Sequence, residues 1–242
     1  MIALSADRLV AHRGWQRRYP ENTILAVEKA IAAGARHVEI DVQFSGDGRA
    51  VVFHDPTLFR KCGDSREVYA LTLNELITIK ISAAHRLGSN ETDTVISSLE
   101  SLAEVVAAHP QVTLYVEIKQ DILQHFANTT VLDELERSLQ KILPQVILIS
   151  FDYGILHQAA ELGWRVGPVL ENWNDLNDTG MMPASAQCVF LDYRLVPPGT
   201  SLHDAPYPCV LYEIDNADLA RSWLGRGAAK IETFAIGELL EK

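Results

Sequence analysis

Short apolar segments recur along the chain and are separated by stretches with a helical repeat. They are rich in Val, Ile and Leu, which is typical of buried strands. The segments lie at residues 8–11, 37–42, 112–118, 146–150, 166–170, 188–191, 209–214 and 230–234. Because strand and helix alternate, the strands are expected to run parallel. Eight such units in 242 residues predict a (β/α)₈ TIM barrel of the α/β class, with a doubly wound open sheet as the alternative.

Several helix boundaries are also visible in the sequence. Between Leu132 and Ile142, Leu or Ile recurs every three or four residues, as on one face of a helix. Ser97 with Glu100 three positions later matches a capping box and predicts a helix that begins at Ser97. Asn216 is predicted to cap a later helix.

One short connection cannot hold a crossover helix. Residues 45–48, Ser-Gly-Asp-Gly, join two apolar runs directly, which predicts a β-hairpin. With a two-residue turn at Asp47 and Gly48, Asp41 would lie opposite His54. The hairpin would therefore bring an acid and a histidine together.

Two longer stretches do not follow the barrel pattern. Residues 55–96 contain one short helical pattern near 73–79 and read as a small subdomain inserted after the second strand. Between 194 and 208, prolines at four positions exclude a long helix and predict an irregular, helix-poor segment. Since no linker is evident, residues 1–242 are expected to form a single barrel domain with 55–96 inserted.

Charged residues occur in the predicted strands, where burial is costly unless the charges have partners. Glu39 and Asp41 lie two positions apart and share a face, and Glu117 and Lys119 repeat this spacing at the end of another strand. Three carboxylates at one barrel mouth would suit Mg²⁺ or Ca²⁺. The alternative is a network of ion pairs in which Lys119 neutralises these acids without any chemistry.

Two histidines are expected close to these acids. His12 and Arg13 end the first predicted strand, and His54 ends the hairpin. Beside a cation, such histidines can serve as general acid and base in displacement at phosphorus, while a guanidinium neutralises the oxyanion. His37 shares the face of Glu39 but lies earlier on the strand, so it is expected in the lower interior of the barrel.

Composition narrows the range of partners. The 21 basic and 32 acidic residues give a net charge of −11, which argues against nucleic acid and anionic membranes. Three scattered cysteines indicate reduced, buried thiols. No run of eighteen apolar residues occurs and the first residues do not resemble a leader, so no membrane span and a cytoplasmic location are expected. A small molecule held by local cations is the expected partner, and the oligomeric state is left open.

Five motifs, in order, resemble those of the glycerophosphodiester phosphodiesterase family. They are Ala11-His12-Arg13-Gly14, Pro20-Glu21-Asn22-Thr23, Val38-Glu39-Ile40-Asp41-Val42, Phe53-His54-Asp55 and Val116-Glu117-Ile118-Lys119. Ser150-Phe151-Asp152 is similar to a further motif of that family. The resemblance implies a TIM barrel with a small insertion and metal-dependent hydrolysis of glycerophosphodiesters to glycerol 3-phosphate and an alcohol.

The resemblance also implies a role for each site residue. The metal, Mg²⁺ or Ca²⁺, would be bound by Glu39, Asp41 and Glu117, the acid and base would be His12 and His54, and the substrate would contact Arg13, Lys119 and Tyr212. The second half differs from the family, because 212–215 reads Tyr-Glu-Ile-Asp where the family has Trp-Thr-Val-Asn. Three alternatives therefore stay open: a phosphodiesterase for a different diester, a metal-dependent barrel aldolase or isomerase, and a non-catalytic barrel that binds phosphorylated ligands.

Overall fold

Eight parallel strands close into a barrel in the computed structural model, which describes residues 3–81, 94–178 and 180–241. The strands in chain order are β1 Leu9–His12, β2 His37–Phe44, β3 Ala50–Val52, β4 Ser97–Ser98, β5 Thr113–Ile118, β6 Val146–Ser150, β7 Val166–Leu170, β8 Val189–Asp192, β9 Cys209–Tyr212 and β10 Lys230–Thr233. Around the barrel the order is β1-β10-β9-β8-β7-β6-β5-β2, and β1 pairs with β2 to close it. Each of the eight apolar segments overlaps one barrel strand, which confirms the predicted fold.

Helices pack against the outside of the barrel or lie in the insertion. They are α1 Ile24–Ala32, α2 Phe59–Cys62, α3 Leu73–Leu76, α4 Leu99–Ala107, α5 Asn128–Leu139, α6 Tyr153–Glu161, α7 Ala217–Gly225 and α8 Ile236–Leu240. Short 3₁₀ turns occupy Val68–Ala70, Gln120–Gln124, Leu143–Gln145, Trp173–Asn177 and Tyr193–Leu195. The connection at 193–208, every residue of which is described, holds the last of these turns and no α-helix, as its prolines predict.

The structure tests two predicted helix starts, those of α7 and α4. Asn216 caps α7, and its Oδ1 accepts from two backbone N–H groups. The predicted start at Ser97 is wrong by one residue, because the Ser98 hydroxyl accepts from the backbone N–H of Ser101. Glu100 does not complete a capping box, since its carboxylate is bound by two arginines.

The hairpin of β2 and β3 has a register one residue away from the predicted one. Val42 lies opposite Val52, so Asp41 faces Phe53, whose N–H donates to the Asp41 carbonyl at 3.1 Å. His54 therefore follows the last paired position instead of facing Asp41.

The turn geometry explains this shift. Ser45 and Arg49 form the last pair, with a Ser45 N to Arg49 O distance of 3.0 Å, so the loop has three residues and not two. Gly48 adopts a left-handed conformation at φ 74°, which a three-residue hairpin loop requires. Because the loop has three residues and not two, each residue of β2 faces a residue one position earlier in the second strand than predicted.

The insertion and the hairpin share a small apolar core. Its buried members are Val51, Phe53, Leu58, Val68, Leu71, Leu76, Ile81 and Ile96. The helix predicted near 73–79 is the shorter α3, and the Gly46 N–H donates to the Leu71 carbonyl at 2.7 Å. A Cβ at Gly46 would lie 2.4 Å from the Tyr69 carbonyl oxygen, so this contact needs glycine. The single-domain organisation with 55–96 inserted stays a prediction.

The inside of the barrel is filled by a second apolar cluster. It consists of Val10, Tyr115, Ile147, Ile149, Val169, Cys188, Phe190 and Val210. All three cysteines are free thiols; Cys188 and Cys209 are buried as predicted, whereas Cys62 is only half-buried. Within the described ranges, no helix is both long and apolar enough to cross a membrane. Polar side chains lie above this apolar interior, at the carboxyl ends of the strands.

Candidate active site

The carboxyl ends of the barrel strands bring the predicted site residues together. Strand pairing places His12 beside Glu39 and Asp41 beside Glu117, so the ends of β1, β2 and β5 lie at one level. A cavity of about 160 Å³ opens there. Six of the eight predicted residues line it, namely His12, Arg13, His54, Glu117, Lys119 and Tyr212, while Glu39 and Asp41 are buried next to them.

A sharp exit from β1 positions the first of these residues. Arg13 and Gly14 both adopt left-handed conformations, at φ 55° and 76°. A Cβ at Gly14 would lie 2.6 Å from the backbone of Ala26, so this approach of the chain to α1 requires glycine. The turn directs the Arg13 side chain back over the barrel mouth, where it meets Asp41.

Asp41 is held by three side chains of the site. Arg13 Nε lies 2.9 Å from Oδ2 and Lys119 Nζ lies 3.3 Å from Oδ1. Asn22 Nδ2 donates to Oδ2 at 2.8 Å, and the Asp41 N–H donates to Asn22 Oδ1 at 3.0 Å. Burial alone would raise the pKa of Asp41, but the charges of Arg13 and Lys119 hold it below its ordinary value. Asp41 is therefore a carboxylate.

Glu39 and Glu117 complete an acidic cluster with Asp41. One carboxylate oxygen of each lies within 4.8 Å of the others. Burial and the charge of Asp41 raise the pKa of both glutamates. Lys119 Nζ lies 2.6 Å from Glu117, whereas Glu39 receives only the Arg13 backbone N–H, at 3.0 Å, and its Oε1 has no hydrogen-bond partner among the described residues.

Each of the two interpretations of these acids that the sequence left open has an observation in its favour. Lys119 does form the predicted ion pairs, with Asp41 and Glu117. It does not neutralise Glu39. The Oε1 atom of Glu39 is buried without a hydrogen-bond partner among the described residues, so a hard cation could bind it. The cluster can hold a divalent metal in addition to its salt bridges.

The two histidines lie in different environments. His12 is buried, its Nε2 is 3.7 Å from Glu39 Oε2, and its ring stacks on Phe234 at 4.9 Å. Burial and the charge of Arg13 lower the pKa of His12 to about 3. His54 is half-buried, and its Nδ1 lies 2.6 Å from Asp55 Oδ1. Because a carboxylate only accepts, Nδ1 carries the hydrogen and Nε2 of His54 remains for a ligand.

Asp55 is expected to act as a positioning residue for His54. The change Asp55→Asn removes the charge that fixes the ring, so kcat should fall by about tenfold or more while KM changes little. Steady-state kinetics with the pH profile of kcat measures this. Asp64→Asn is the matched control, since Asp64 also binds an arginine of the insertion but lies away from the cavity. Equal kinetics for both variants would contradict the role of Asp55.

Two residues of the loop after β1, Glu21 and Asn22, lie in one of the resembling motifs but had no predicted role in the site. Thr23 is the N-cap of α1, whereas Asn22 adopts φ 55° and binds Asp41. Glu21 is buried and binds Arg13, Arg60 and Lys61. Burial would raise the pKa of Glu21, but the hydrogen bond from Arg60 and the charges of Arg13 and Lys61 lower it to about 2. Asn adopts the left-handed region more readily than most residues, and this preference is consistent with the backbone conformation of Asn22.

Glu232 is a further cavity residue that sequence reasoning did not assign. It lies on β10, is buried, and together with His12 and Glu39 forms a second group of potential metal ligands. Burial and the charge of Glu117 raise its pKa well above the ordinary value. An acid inside an apolar strand is the same signal that singled out Glu39, and it could have identified Glu232. His37, by contrast, lies at the opposite end of the barrel beside Tyr115, as predicted.

Comparison with known sequences gives consistent matches. A family model described as the glycerophosphoryl diester phosphodiesterase family matches residues 12–189. A glycerophosphodiester phosphodiesterase of Bacillus altitudinis is 32% identical over 149 residues, which are 62% of this chain and 60% of that protein. The uncharacterized protein YqiK of Bacillus subtilis is 32% identical over 165 residues, 68% of this chain and 64% of its own length. The match thus spans less than two thirds of these curated relatives.

Comparison with solved structures shows the same fold over nearly the whole chain. A phosphodiesterase of Oleispira antarctica, solved in complex with the product sn-glycerol-3-phosphate, aligns with a TM-score of 0.81 and 22% identity. The alignment covers 97% of this chain and 95% of that one. The closed barrel is therefore a fold that this protein shares with that enzyme.

Proposed function

The chain belongs to the glycerophosphoryl diester phosphodiesterase family, and we propose that it hydrolyses a glycerophosphodiester to glycerol 3-phosphate and an alcohol. The observation that carries this proposal is the convergence of three carboxylates, two cationic side chains and two histidines at one cavity. Phosphoryl transfer needs charge neutralisation and proton transfer at the same point. A small-molecule phosphodiester is the substrate of this reaction.

A divalent metal fits the acidic cluster. Glu39, Asp41 and Glu117 would hold it, because their oxygens lie within 4.8 Å of one another and Glu39 Oε1 lacks a partner among the described residues. The all-oxygen donor set suits Mg²⁺ or Ca²⁺. When bound, the metal supplies positive charge to the phosphate oxygens and to the attacking oxygen.

Arg13 and Lys119 hold the phosphate. Lys119 contacts two carboxylates, so one of its three N–H groups is left for the substrate. The Arg13 side chain contacts Asp41 and Glu21, which leaves three of its five N–H groups. Both side chains line the cavity, and the acids beneath fix their orientation.

His12 and His54 move the protons. The nucleophile is water, or a neighbouring substrate hydroxyl that forms a cyclic phosphate which water then opens to glycerol 3-phosphate. In either case the nucleophile transfers a proton to His12 as its oxygen bonds to phosphorus. As the bond from phosphorus to the leaving oxygen breaks, His54 gives its Nε2 proton to the alkoxide. We assign the acid role to His54 because Asp55 holds its Nδ1 and the ring lines the cavity, which leaves Nε2 for the substrate.

The insertion takes part in shaping this site. Asp55 orients His54, and Arg60 and Lys61 bind the buried Glu21 of the barrel. For this reason we place residues 1–242 in one barrel domain with 55–96 as an inserted subdomain.

A panel of glycerophosphodiesters assayed with Mg²⁺ or Ca²⁺ tests the proposed function. Glycerol 3-phosphate is expected to appear in step with the alcohol, and a chelator should stop its release. Phosphorus NMR identifies the monoester directly. Binding of glycerol 3-phosphate without turnover of any diester would instead favour a non-catalytic barrel, and carbon-bond chemistry without monoester release would favour an aldolase or isomerase.

A further inference from the structure

A second cavity lies at the other end of the barrel, where the strands begin. It measures about 280 Å³ and is larger than the cavity of about 160 Å³ at the barrel mouth. The polar part of its lining comes from His37, Thr113 and Lys230, the first residues of β2, β5 and β10, together with Tyr115 and Gln187. None of these five residues takes part in the proposed reaction, so their placement around one cavity needs a separate explanation.

The inner surface of this cavity is apolar. Ile147, Cys188 and Val210 line it, and all three belong to the apolar cluster that fills the barrel. A largely apolar surface with a few polar groups around it is the usual composition of a small-molecule site, and the volume is close to the lower end of the range for such sites. A ligand with an apolar body would be complementary to this surface.

Lys230 brings a positive charge into this cavity without an acid of its own. It is half-buried, and it forms no ion pair with any residue that the structure describes. Burial and the charge of Arg8 lower the pKa of Lys230, since both disfavour its charged form. An anion bound beside the amine would favour the charged form and offset this cost.

The surroundings of Lys230 are basic, although the whole chain has a net charge of −11. Arg8 and Arg165 precede β1 and β7, and their side chains donate to backbone carbonyl oxygens at 2.7 to 3.1 Å. Within the described ranges, neither arginine has an ion pair. Asp7, the acid whose charge acts on Lys230, lies 3.1 Å from Arg36 and is already paired. Positive charge is therefore concentrated at this end of the barrel.

Neutral donors complete the polar lining. Tyr115 is 3% exposed, and its hydroxyl has no hydrogen-bond partner in the part of the chain that the structure describes. Buried hydroxyl groups usually have such a partner, so that of Tyr115 is available to a ligand in the cavity. Gln187 Nε2 gives one N–H group to the Ser185 carbonyl at 3.1 Å and keeps its second. An amine, a hydroxyl and an amide can all donate to the oxygens of an anion.

We propose that this cavity binds a small organic oxyanion, a carboxylate or a phosphate monoester on an apolar body, with Lys230 and Tyr115 at the anionic group. The apolar body would lie against Ile147, Cys188 and Val210. Among the described residues, the two cavities share no lining residue, and they lie at opposite ends of the barrel. The inference therefore goes beyond the proposed function and does not depend on it.

Calorimetric titration of the full chain with three probes tests the inference. The probes are benzoate, phenyl phosphate and benzyl alcohol, which have the same ring and differ in the group attached to it. At least one of the two anions should bind with a Kd about tenfold or more below that of neutral benzyl alcohol, and the tighter anion identifies the preferred group. Binding of neither anion more tightly than benzyl alcohol would overturn the inference.

The change Lys230→Met assigns the binding to this cavity, because Met retains most of the length of the side chain and removes the charge. The Kd of the tighter anion should rise by about tenfold or more, whereas Lys29→Met on the exposed face of α1 should leave it unchanged. Lys119→Met separates the two cavities, since it would weaken an anion bound at the barrel mouth and not one bound at Lys230. Weaker binding in Lys119→Met together with unchanged binding in Lys230→Met would overturn the inference.

A crystal of the unaltered protein with the brominated form of the tighter anion gives a second test that does not depend on the folding of any variant. Anomalous scattering locates the bromine directly. Bromine in the cavity beside Lys230 is the expected result, and bromine at any other place alone would contradict the assignment of the site.

Discussion

Replacing either His12 or His54 with alanine is expected to lower kcat by about 10²-fold or more, the loss typical of removing a general acid or base. The reason is that each variant leaves the metal and phosphate groups in place but removes one proton transfer. Steady-state kinetics at saturating substrate and metal measures the effect. Asp55 keeps both contacts to Arg60 when His54 is removed, so the fold should persist.

The control for this prediction is His157→Ala. His157 is exposed on α6 and its Nε2 lies 3.1 Å from the Met181 carbonyl oxygen, so its loss should leave kcat unchanged. Circular dichroism and the thermal midpoint establish that each variant is folded. Near-normal turnover in both His12→Ala and His54→Ala would contradict their role as acid and base.

Glu117→Gln is expected to raise the metal concentration needed for half-maximal activity by about tenfold or more. The amide retains the shape of the side chain but removes one negative charge from an all-oxygen site, and hard cations depend on that charge. Lys119 still contacts Asp41 in this variant. Calorimetric titration with Mg²⁺ and Ca²⁺ measures the affinity independently of turnover.

Glu213→Gln provides a matched comparison for the metal site. Glu213 lines the same cavity but is bound by Arg194 and lies outside the acidic cluster. Its substitution should leave metal affinity unchanged. If Glu117→Gln binds both ions as tightly as the unaltered protein, Glu117 does not ligate the metal and the cluster serves only to anchor Lys119.

The barrel could be predicted because buried parallel strands have a strong compositional signature. A strand covered on both faces is apolar throughout, so segments such as 146–150 and 166–170 coincide with β6 and β7. The acids Glu39, Asp41 and Glu117 stand out against that background. Their spacing and their position at strand ends predict that they lie together, since parallel strands end at one side of a barrel.

Local backbone geometry was the part that the sequence left undetermined. The register of the hairpin depends on whether the loop has two or three residues, and the left-handed φ of Gly48 decides this. The start of α4 depends on which of two adjacent serines caps it, and Glu100 has arginine partners that are distant in sequence. Such contacts become visible only when the chain is folded.

The role of Asn22 was missed for a related reason. Next to Thr23 it looks like part of an ordinary helix start, and nothing nearby in sequence indicates its bond to Asp41, nineteen positions away. Glu232 was passed over because its strand lies at the far end of the chain from the other motifs. Residues whose function depends on a distant partner carry a weak local signal.

The paired hydrogen bonds between Asn22 and Asp41 have a thermodynamic consequence for ion uptake. They lock the central carboxylate in one rotamer in the folded chain, with both the side chain and the backbone N–H of Asp41 engaged. The conformational entropy of the Asp41 side chain is therefore lost during folding and would not be lost again when an ion binds. The proposed metal site would thus be preorganised, and more of the attraction between its oxygens and an ion would remain in the binding affinity.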